Sequence, residues 1–248
     1  MNKIMLVTGG SRGIGAATAR LAAAKGYAVC ISYISNEPAA QKVVADITQS
    51  GGTAIAVHAD IGQEADIVRL FEQVDAALGP LTALVNNAGM LQPQMRVDQM
   101  DAARLTQVLA ANVVGSFLCA GQAIRRMSTR HGGGGGGIVN LSSAAARLGG
   151  AGEYVDYAAS KGAIDTFTAG LAKEVAAEGI RVNAVRPGLI YTDIHGSGGD
   201  PDRVDRLESV VPMRRGGSAD EVAQSILWLL SDEASYVTGA LLDVSGGR

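Results

Sequence analysis

Tyr157 and Lys161 stand four residues apart in Tyr157-Ala158-Ala159-Ser160-Lys161, within a helical pattern that puts a phenol and an ammonium on one helix face. A lysine held beside a tyrosine favours the phenolate and lowers a pKa that is otherwise about 10, so the pair has the makings of a proton donor near neutral pH. The same spacing also occurs wherever a solvated lysine follows a half-buried tyrosine. Its meaning therefore depends on its company. Ser142 and Ser143 end the apolar run Ile138-Val139-Asn140-Leu141 and deliver two hydroxyls. Asn112 is a polar residue among Leu105, Val108, Leu109, Val113, Phe117 and Leu118. It must find hydrogen bonds, either as a structural joint or as part of a proton path.

Near the amino terminus a different chemistry is suggested. Thr8-Gly9-Gly10-Ser11-Arg12-Gly13-Ile14-Gly15 lies between the apolar run Ile4 to Val7 and a helix whose apolar positions include Ile14, Ala17 and Leu21. Glycines in a strand-to-helix turn let the backbone approach a pyrophosphate, and the free N–H groups and dipole at the helix start favour negative charge. The spacing is Gly-x-x-x-Gly-x-Gly rather than the general dinucleotide fingerprint.

These groups need a scaffold, and the hydrophobic pattern outlines one. Ile4 to Val7, Tyr27 to Tyr33, Thr53 to Ala59, Leu81 to Val85, Ile138 to Ser143, Ile180 to Arg186 and Ala240 to Val244 read as strands. Between them run helical stretches: Glu37 to Ser50, a segment with Ile67, Leu70, Phe71, Val74 and Leu78, a long region reaching Met127, and about Asp156 to Glu178. Ser218 is placed to cap a last helix containing Val222, Ile226, Trp228 and Leu229. Such alternation predicts an α/β fold, a doubly wound parallel sheet of about seven strands with helices on both faces, in a three-layer sandwich. Ligands then bind at the carboxyl ends of the strands.

Two segments fall outside that alternation. Gly132 to Gly137 is a low-complexity run, expected to be a mobile surface connection without a phosphate-binding role. The stretch 188–215, following Pro187-Gly188, is rich in glycine, proline and charge and is expected to form a lid or binding loop. Neither divides the chain, so one domain over 1–248 is expected.

Bulk properties narrow the function. With 248 residues, 47% hydrophobic and 18% charged, the chain can bury a large core. A formal net charge of -3 gives no broad basic footprint, and neither a zinc-ligand spacing nor a basic helix is found, which argues against nucleic acid and indicates no metal. No transmembrane segment is read, and the N-terminal apolar run is too short for a signal peptide. Cys30 and Cys119 lie in separate apolar segments, suiting a reducing cytoplasm.

An NAD site would place an acid at the end of the second strand, whereas a 2'-phosphate calls for positive charge. That strand runs out through Ser32-Tyr33-Ile34-Ser35-Asn36, and Glu37 starts the next helix. Arg12, with Ser35 and Asn36 as hydrogen-bonding partners, favours NADP over NAD. Asp60 is placed to accept from an adenine amino group or to cap the following helix. Asn86-Asn87-Ala88-Gly89 offers small residues and amides against which a cofactor can pack.

Taken in order, Thr8-Gly9-x-x-x-Gly13-x-Gly15, Asn86-Asn87-Ala88-Gly89, Asn112, Ser143, Tyr157-x-x-x-Lys161 and Pro187-Gly188 resemble the motifs of the short-chain dehydrogenase/reductase family of the single-domain type, from end to end of the chain. The resemblance implies a Rossmann-like fold and hydride transfer between a nicotinamide and a small carbonyl or alcohol. It implies that Tyr157 is the general acid or base, that Ser143 holds the reacting oxygen, that Lys161 favours the phenolate and binds ribose, and that Asn112 holds a proton-relaying water. Cofactor contacts carried over by position are Gly9, Ser11, Arg12, Gly13, Ile14, Gly15, Ser35, Asn36, Asp60, Ile61, Asn87, Ala88, Gly89, Tyr157, Lys161, Pro187, Gly188, Ile190 and Thr192. Ser143, Tyr154, Tyr157 and His195 are expected at the substrate. Ser143 precedes Tyr157 by fourteen residues where many members have thirteen, which leaves Ser142 as a rival.

The expected function is thus that of a cytoplasmic NADP(H)-dependent oxidoreductase. The alternatives are a 3-oxoacyl-acyl-carrier-protein reductase, for which Arg125, Arg126 and Arg130 would offer a basic rim offset by Glu174 and Glu178, or a glucose-type sugar dehydrogenase. A non-catalytic dinucleotide-binding sensor or scaffold is the other class of answer. The family also implies a homo-oligomer, most often a tetramer, built through the helices around Asn112 to Met127 and Asp156 to Glu178 and through the C-terminal segment.

Overall fold

The computed structural model describes residues 3–248, so Met1 and Asn2 lie outside the described residues. Short apolar runs form the strands β1 (Lys3–Val7), β2 (Tyr27–Tyr33), β3 (Ala54–His58), β4 (Ala83–Asn86), β5 (Gly136–Leu141), β6 (Ile180–Pro187) and β7 (Leu241–Val244). Between them lie the helices α1 (Gly13–Ala24), α2 (Glu37–Gln49), α3 (Glu64–Ala77), α4 (Ala102–Leu109), α5 (Gly115–Met127), α6 (Ala145–Leu148), α7 (Val155–Val175), α8 (Ile194–Ser197), α9 (Arg203–Leu207) and α10 (Ala219–Leu230). All pairings are parallel, and the seven strands run in the order β3-β2-β1-β4-β5-β6-β7. The α/β fold expected from the pattern is present.

Strand side chains alternate between faces, so β1 serves two cores. Met5 and Val7 pack with Ala16, Ile31, Val85 and Ile226 beneath α1, α2 and α10, whereas Ile4 and Leu6 pack with Phe71, Cys119, Met127 and Leu171 beneath α3, α5 and α7. At the end of β1, Val7 pairs with Ile31 of β2 on one side and Val85 of β4 on the other. This is where the strand order reverses, and a crevice opens beyond the strand ends.

The glycine run does not behave as expected. Gly136 and Gly137 are the first residues of β5 and pair with Ile180 and Arg181 of β6. A Cβ on Gly133 would lie 2.4 Å from the carbonyl oxygens of Arg126 and Met127, one on Gly135 would lie 2.6 Å from the carbonyl oxygen of Gly179, and one on Gly136 2.5 Å from that of Thr82. At Gly133 and from Gly135 to Gly137 the run is a packed entry into the central sheet. Composition signals backbone freedom, but here it reflects missing space.

The stretch 188–215 also holds more structure than its composition suggests. It contains α8 and α9, and Ile190 bridges to Gly217. Helical conformation is continuous from Ala102 to Met127, a segment long and apolar enough by composition to cross a membrane. Val108, Cys119, Ala120, Ala123 and Met127 on this segment are buried inside the protein.

Candidate active site

The site is built from the strand ends outward. Thr8, fully buried, knots β1 to β4: its hydroxyl accepts from the amides of Asn87 and Ala88, both at 3.0 Å. The Asn87 amide in turn donates to the carbonyls of Thr8 at 2.8 Å and Gly9 at 3.0 Å. Ser32, at the end of β2, closes the other side, accepting from Gly9 N–H at 3.1 Å through its hydroxyl and from Gly10 N–H at 2.9 Å through its carbonyl. Sequence reasoning did not give Ser32 a role, although a serine in the apolar run Cys30-Ile31-Ser32 was a signal.

Gly9 at φ 63° and Gly13 at φ 53° have left-handed backbones that favour glycine. A Cβ on Gly9 would also come within 2.9 Å of Ala88 Cα. The turn hands over to α1 at Arg12, whose side chain makes no capping bond, and the first backbone donor to Arg12 is Ala16. The amides of Gly13, Ile14 and Gly15 therefore lead the helix without a helical partner, as an anion site requires.

A cavity of about 1470 Å³ extends from this turn to Tyr157 and on under α8 and α9. At one end it is lined by Arg12, Tyr33, Ile34, Ser35 and Asn36. Arg12 is exposed and takes part in no ion pair among the described residues. Asn36 caps α2, its Oδ1 accepting from Ala39 N–H at 3.0 Å, which leaves its amide hydrogens for a ligand. Glu37 is the first residue of α2, as expected, and lies outside the lining. Asp60 lines the cavity next to the buried Ile61, but it does not cap α3. Its Oδ1 accepts from Gly62 N–H at 2.8 Å, and Gln63 occupies the cap position.

At the other end Ser143, Tyr157 and Lys161 converge. The two serines differ in direction: the Ser142 hydroxyl donates to the Lys161 carbonyl at 3.1 Å, while Ser143 Oγ accepts from Ala145 N–H at 3.1 Å and lines the cavity with Tyr157. Burial pushes the Tyr157 pKa up, and the nearby Ser143 hydroxyl offsets only part of that rise. Lys161 is 4% exposed and donates from Nζ to the Leu141 carbonyl at 2.6 Å, with Nζ 5.5 Å from the Tyr157 ring centroid. Burial pushes its own pKa down to about 8. The pull of the lysine on the phenol, expected from the spacing, is opposed by burial, which raises the tyrosine pKa and lowers that of the lysine. Desolvation acts on both groups, and the ammonium is turned to a carbonyl.

Asn112 occupies the five-residue π-helical segment Ala110–Val114 between α4 and α5 and is 1% exposed. Its Oδ1 accepts from Met90 N–H at 2.7 Å, and its Nδ2 donates to the Met90 carbonyl at 3.0 Å and to Ser160 Oγ at 3.1 Å. The side chain is thus a joint between β4's following loop and α7. Gly89 fits between them: a Cβ there would sit 3.3 Å from Asn112 Oδ1 and 3.5 Å from Lys161 Nζ.

The segment after β6 closes the far wall. A Cβ on Gly188 would meet Ser245 Cα at 2.8 Å, so the Pro187-Gly188 turn is seated on the chain after β7. Thr192 approaches Gly13, and the Ile190 N–H has no backbone acceptor among the described residues. His195 Nε2 donates to the Ile190 carbonyl at 3.0 Å, and its ring lines the cavity with a pKa lowered by burial. The Tyr154 hydroxyl donates to the Gly198 carbonyl at 3.2 Å, and Arg203 lies over the Tyr154 ring at 5.1 Å while pairing with Glu153 at 2.5 Å. The Glu153–Arg203 pair was not legible in sequence, because its members are fifty positions apart.

A dinucleotide fits these residues. The glycine cradle excludes a Cβ, and the leading amides of α1 and of Ile190 carry unspent donors. Residues 9–248 match the family described as Enoyl-(Acyl carrier protein) reductase. The chain is 59% identical over 245 residues to the uncharacterized oxidoreductase YgfF of Escherichia coli, covering 99% of each. It is 33% identical to the 3-oxoacyl-[acyl-carrier-protein] reductase FabG of Staphylococcus epidermidis, covering 100% of this chain and 99% of that one. The crystal structure of a short chain dehydrogenase from Burkholderia cenocepacia in complex with NADP superposes with a TM-score of 0.91 at 34% identity, covering 100% and 98%. With the parallel sheet, the glycine cradle and the Ser143–Tyr157–Lys161 cluster in one crevice, these likenesses show that the chain belongs to the short-chain dehydrogenase/reductase family of oxidoreductases.

Proposed function

We propose that the protein is an NADP(H)-dependent oxidoreductase that interconverts a small carbonyl compound and its alcohol, with Tyr157 as general acid and base. The observation that carries this reading is the meeting of Ser143, Tyr157 and Lys161 in the cavity that also holds the glycine turn. When bound, the nicotinamide supplies or accepts the hydride. Tyr157 gives its proton to the carbonyl oxygen as charge develops there, and Ser143 donates to the same oxygen. Lys161 holds ribose hydroxyls and favours the phenolate once Tyr157 has lost its proton. Asn112, its side chain engaged by Met90 and Ser160, keeps the π-helical segment in register and holds the water of a proton relay beside Lys161.

Ser11, Gly13, Ile14 and Gly15 receive the pyrophosphate, Asp60 and Ile61 the adenine, and Ile190 and Thr192 the carboxamide. Arg12, with Ser35 and Asn36, takes the 2'-phosphate; the NADP held by the Burkholderia neighbour supports that choice. Tyr154 and His195 flank the substrate, and residues 188–215 form its lid. We place the enzyme in the cytoplasm as a homo-oligomer.

Reduction of a 3-oxoacyl group on an acyl carrier protein is the second reading, favoured by the staphylococcal relative. Its proposed basic rim is compromised. Arg126 pairs with Asp75 at 2.8 Å and Arg130 with Glu178 at 3.0 Å, at the end of α5 that leads back to the start of β5. The experiment is an NADPH-consumption screen over ketones, aldehydes, sugars and acyl thioesters, with alcohols run in reverse. In it Tyr157→Phe should keep NADPH affinity and lose activity by about 10²–10⁴-fold; full activity in that variant would overturn the assignment.

A further inference from the structure

Tyr157 and Lys161 are the first two members of a ladder on one face of α7, and the third is Asp165, again four residues on. Asp165 is not a surface acid. Its side chain is 12% exposed, and its Oδ2 accepts from Arg186 Nε at 3.0 Å and Nη2 at 2.8 Å. Its Oδ1 is buried and has no hydrogen-bond partner among the described residues. A half-satisfied carboxylate in such a place is costly, and replacing a buried pair by apolar groups is often neutral or stabilising. Arg186 is the last residue but one of β6, next to Pro187-Gly188, and its side chain is 14% exposed.

We propose that Asp165 is a positioning residue of the active site: pinned by Arg186 one helical turn beyond Lys161, its carboxylate keeps the Lys161 ammonium charged and sets the pH range in which the Tyr157–Lys161 pair works. This inference rests on the catalytic reading above.

The surroundings of Lys161 make Asp165 the group with leverage. Leu141, Gly89 and Asn112 present only a carbonyl, backbone and a neutral amide to it. On α7 the titratable neighbours are Tyr157 and Asp165. Charge on the packed elements comes from Arg186 of β6, from Asp243 of β7, 3.8 Å from Arg186, and from Arg147 of α6, 3.3 Å from Asp243. Asp165 opposes the effect of burial by raising the lysine pKa. Arg186 compensates Asp165 and so limits that support. The two partners of one ion pair therefore act on Lys161 with opposite signs.

That opposition supplies the test. The chain has five lysines, so selectively labelled protein gives few ammonium signals, and the Lys161 titration can be followed by NMR without any substrate or cofactor. Asp165→Asn should lower the Lys161 midpoint by about one pH unit, for a charge about 6 Å away at an effective dielectric between protein and water. Arg186→Gln should raise it. Asp165→Glu should restore most of the wild-type value. The alkaline limb of kcat/KM should move in the same directions, with kcat changing more than KM. Equal losses at every pH in Asp165→Asn and Arg186→Gln, or midpoints that move the same way, would reduce Asp165 to a structural residue and overturn the proposal. Opposite NMR shifts with an unaltered pH–rate profile would uphold the electrostatic link but overturn its part in setting the working pH, and if Tyr157→Phe were also fully active, the fault would lie in the catalytic reading.

Discussion

A lysine at 4% exposure carries its charge at a cost. With its pKa held at about 8, Lys161 loses its proton in the folded protein before the unfolded chain does. Between about pH 8 and the unfolded value near 10.4, the unfolded state binds more protons, so this group's contribution makes stability rise with pH. Below about pH 8 the penalty is fully present and amounts to roughly 3 kcal/mol. Lys161→Met should therefore melt higher than wild type at pH 7, with the advantage fading by pH 10, while activity is lost; thermal denaturation across that range checks it. Arg12 makes the complementary case at the surface, where it takes part in no ion pair among the described residues. Arg12→Ala should weaken NADPH binding about tenfold or more and leave NADH nearly unchanged, since a charge-assisted phosphate contact is worth about 1.5–3 kcal/mol. Titration of both cofactors by fluorescence would show it, and an unchanged preference would remove Arg12 from the account.

Among the elements, the entry into β5 shows how one residue type serves two physical ends. Gly132 has φ 84° with nothing near its Cβ position, so Gly132→Ala should cost about 1 kcal/mol from backbone strain alone. Gly133 would drive a methyl to 2.4 Å from two carbonyl oxygens that cannot move without unwinding the end of α5. Gly133→Ala should cost about 2–4 kcal/mol, read from urea midpoints. A run that was mobile would give two small and similar values. The neighbouring π-helical segment has another function: it inserts Asn112 between Met90 and Ser160, coupling the loop after β4 to the helix that carries Tyr157.

At the scale of the whole molecule, apolar surface remains outside both cores. Phe117 of α5 is 48% exposed and stacks on Phe167 of α7 at 3.7 Å, and Leu105, Leu109 and Val114 are 39%, 44% and 48% exposed on the same helical run. A stacked aromatic pair left half in water is suited to a partner surface. If the homo-oligomer forms through these helices, light scattering of wild type should give a mass above that of one 25.3 kDa chain, and Phe117→Glu should lower it. A monomeric wild type would sink that part of the proposal. Residues 188–215 are tied to the start of α7 by Glu153–Arg203 and by Tyr154 to Gly198; on the proposal that this segment is the lid, substrate entry breaks these contacts.

What the sequence determined by itself was local or periodic: the strands and helices in their order, the glycine turn, and the Tyr157–Lys161 spacing. These rest on side-chain alternation and on backbone conformations that act within a few residues. Strand ends moved by one to two residues, as with β5 beginning at Gly136 rather than Ile138, because pairing with β6 decides where a strand begins. Tertiary structure alone decided that the Ser142 hydroxyl turns to the Lys161 carbonyl, that Asp60 closes its own turn, that Gly133 and Gly135 are packed, that Lys161 donates to Leu141 and that Asp165 pairs with Arg186. Desolvation and ion pairing depend on which distant segments come together. Asp165 and Arg186 are twenty-one positions apart, Glu153 and Arg203 fifty, and no local pattern records either meeting.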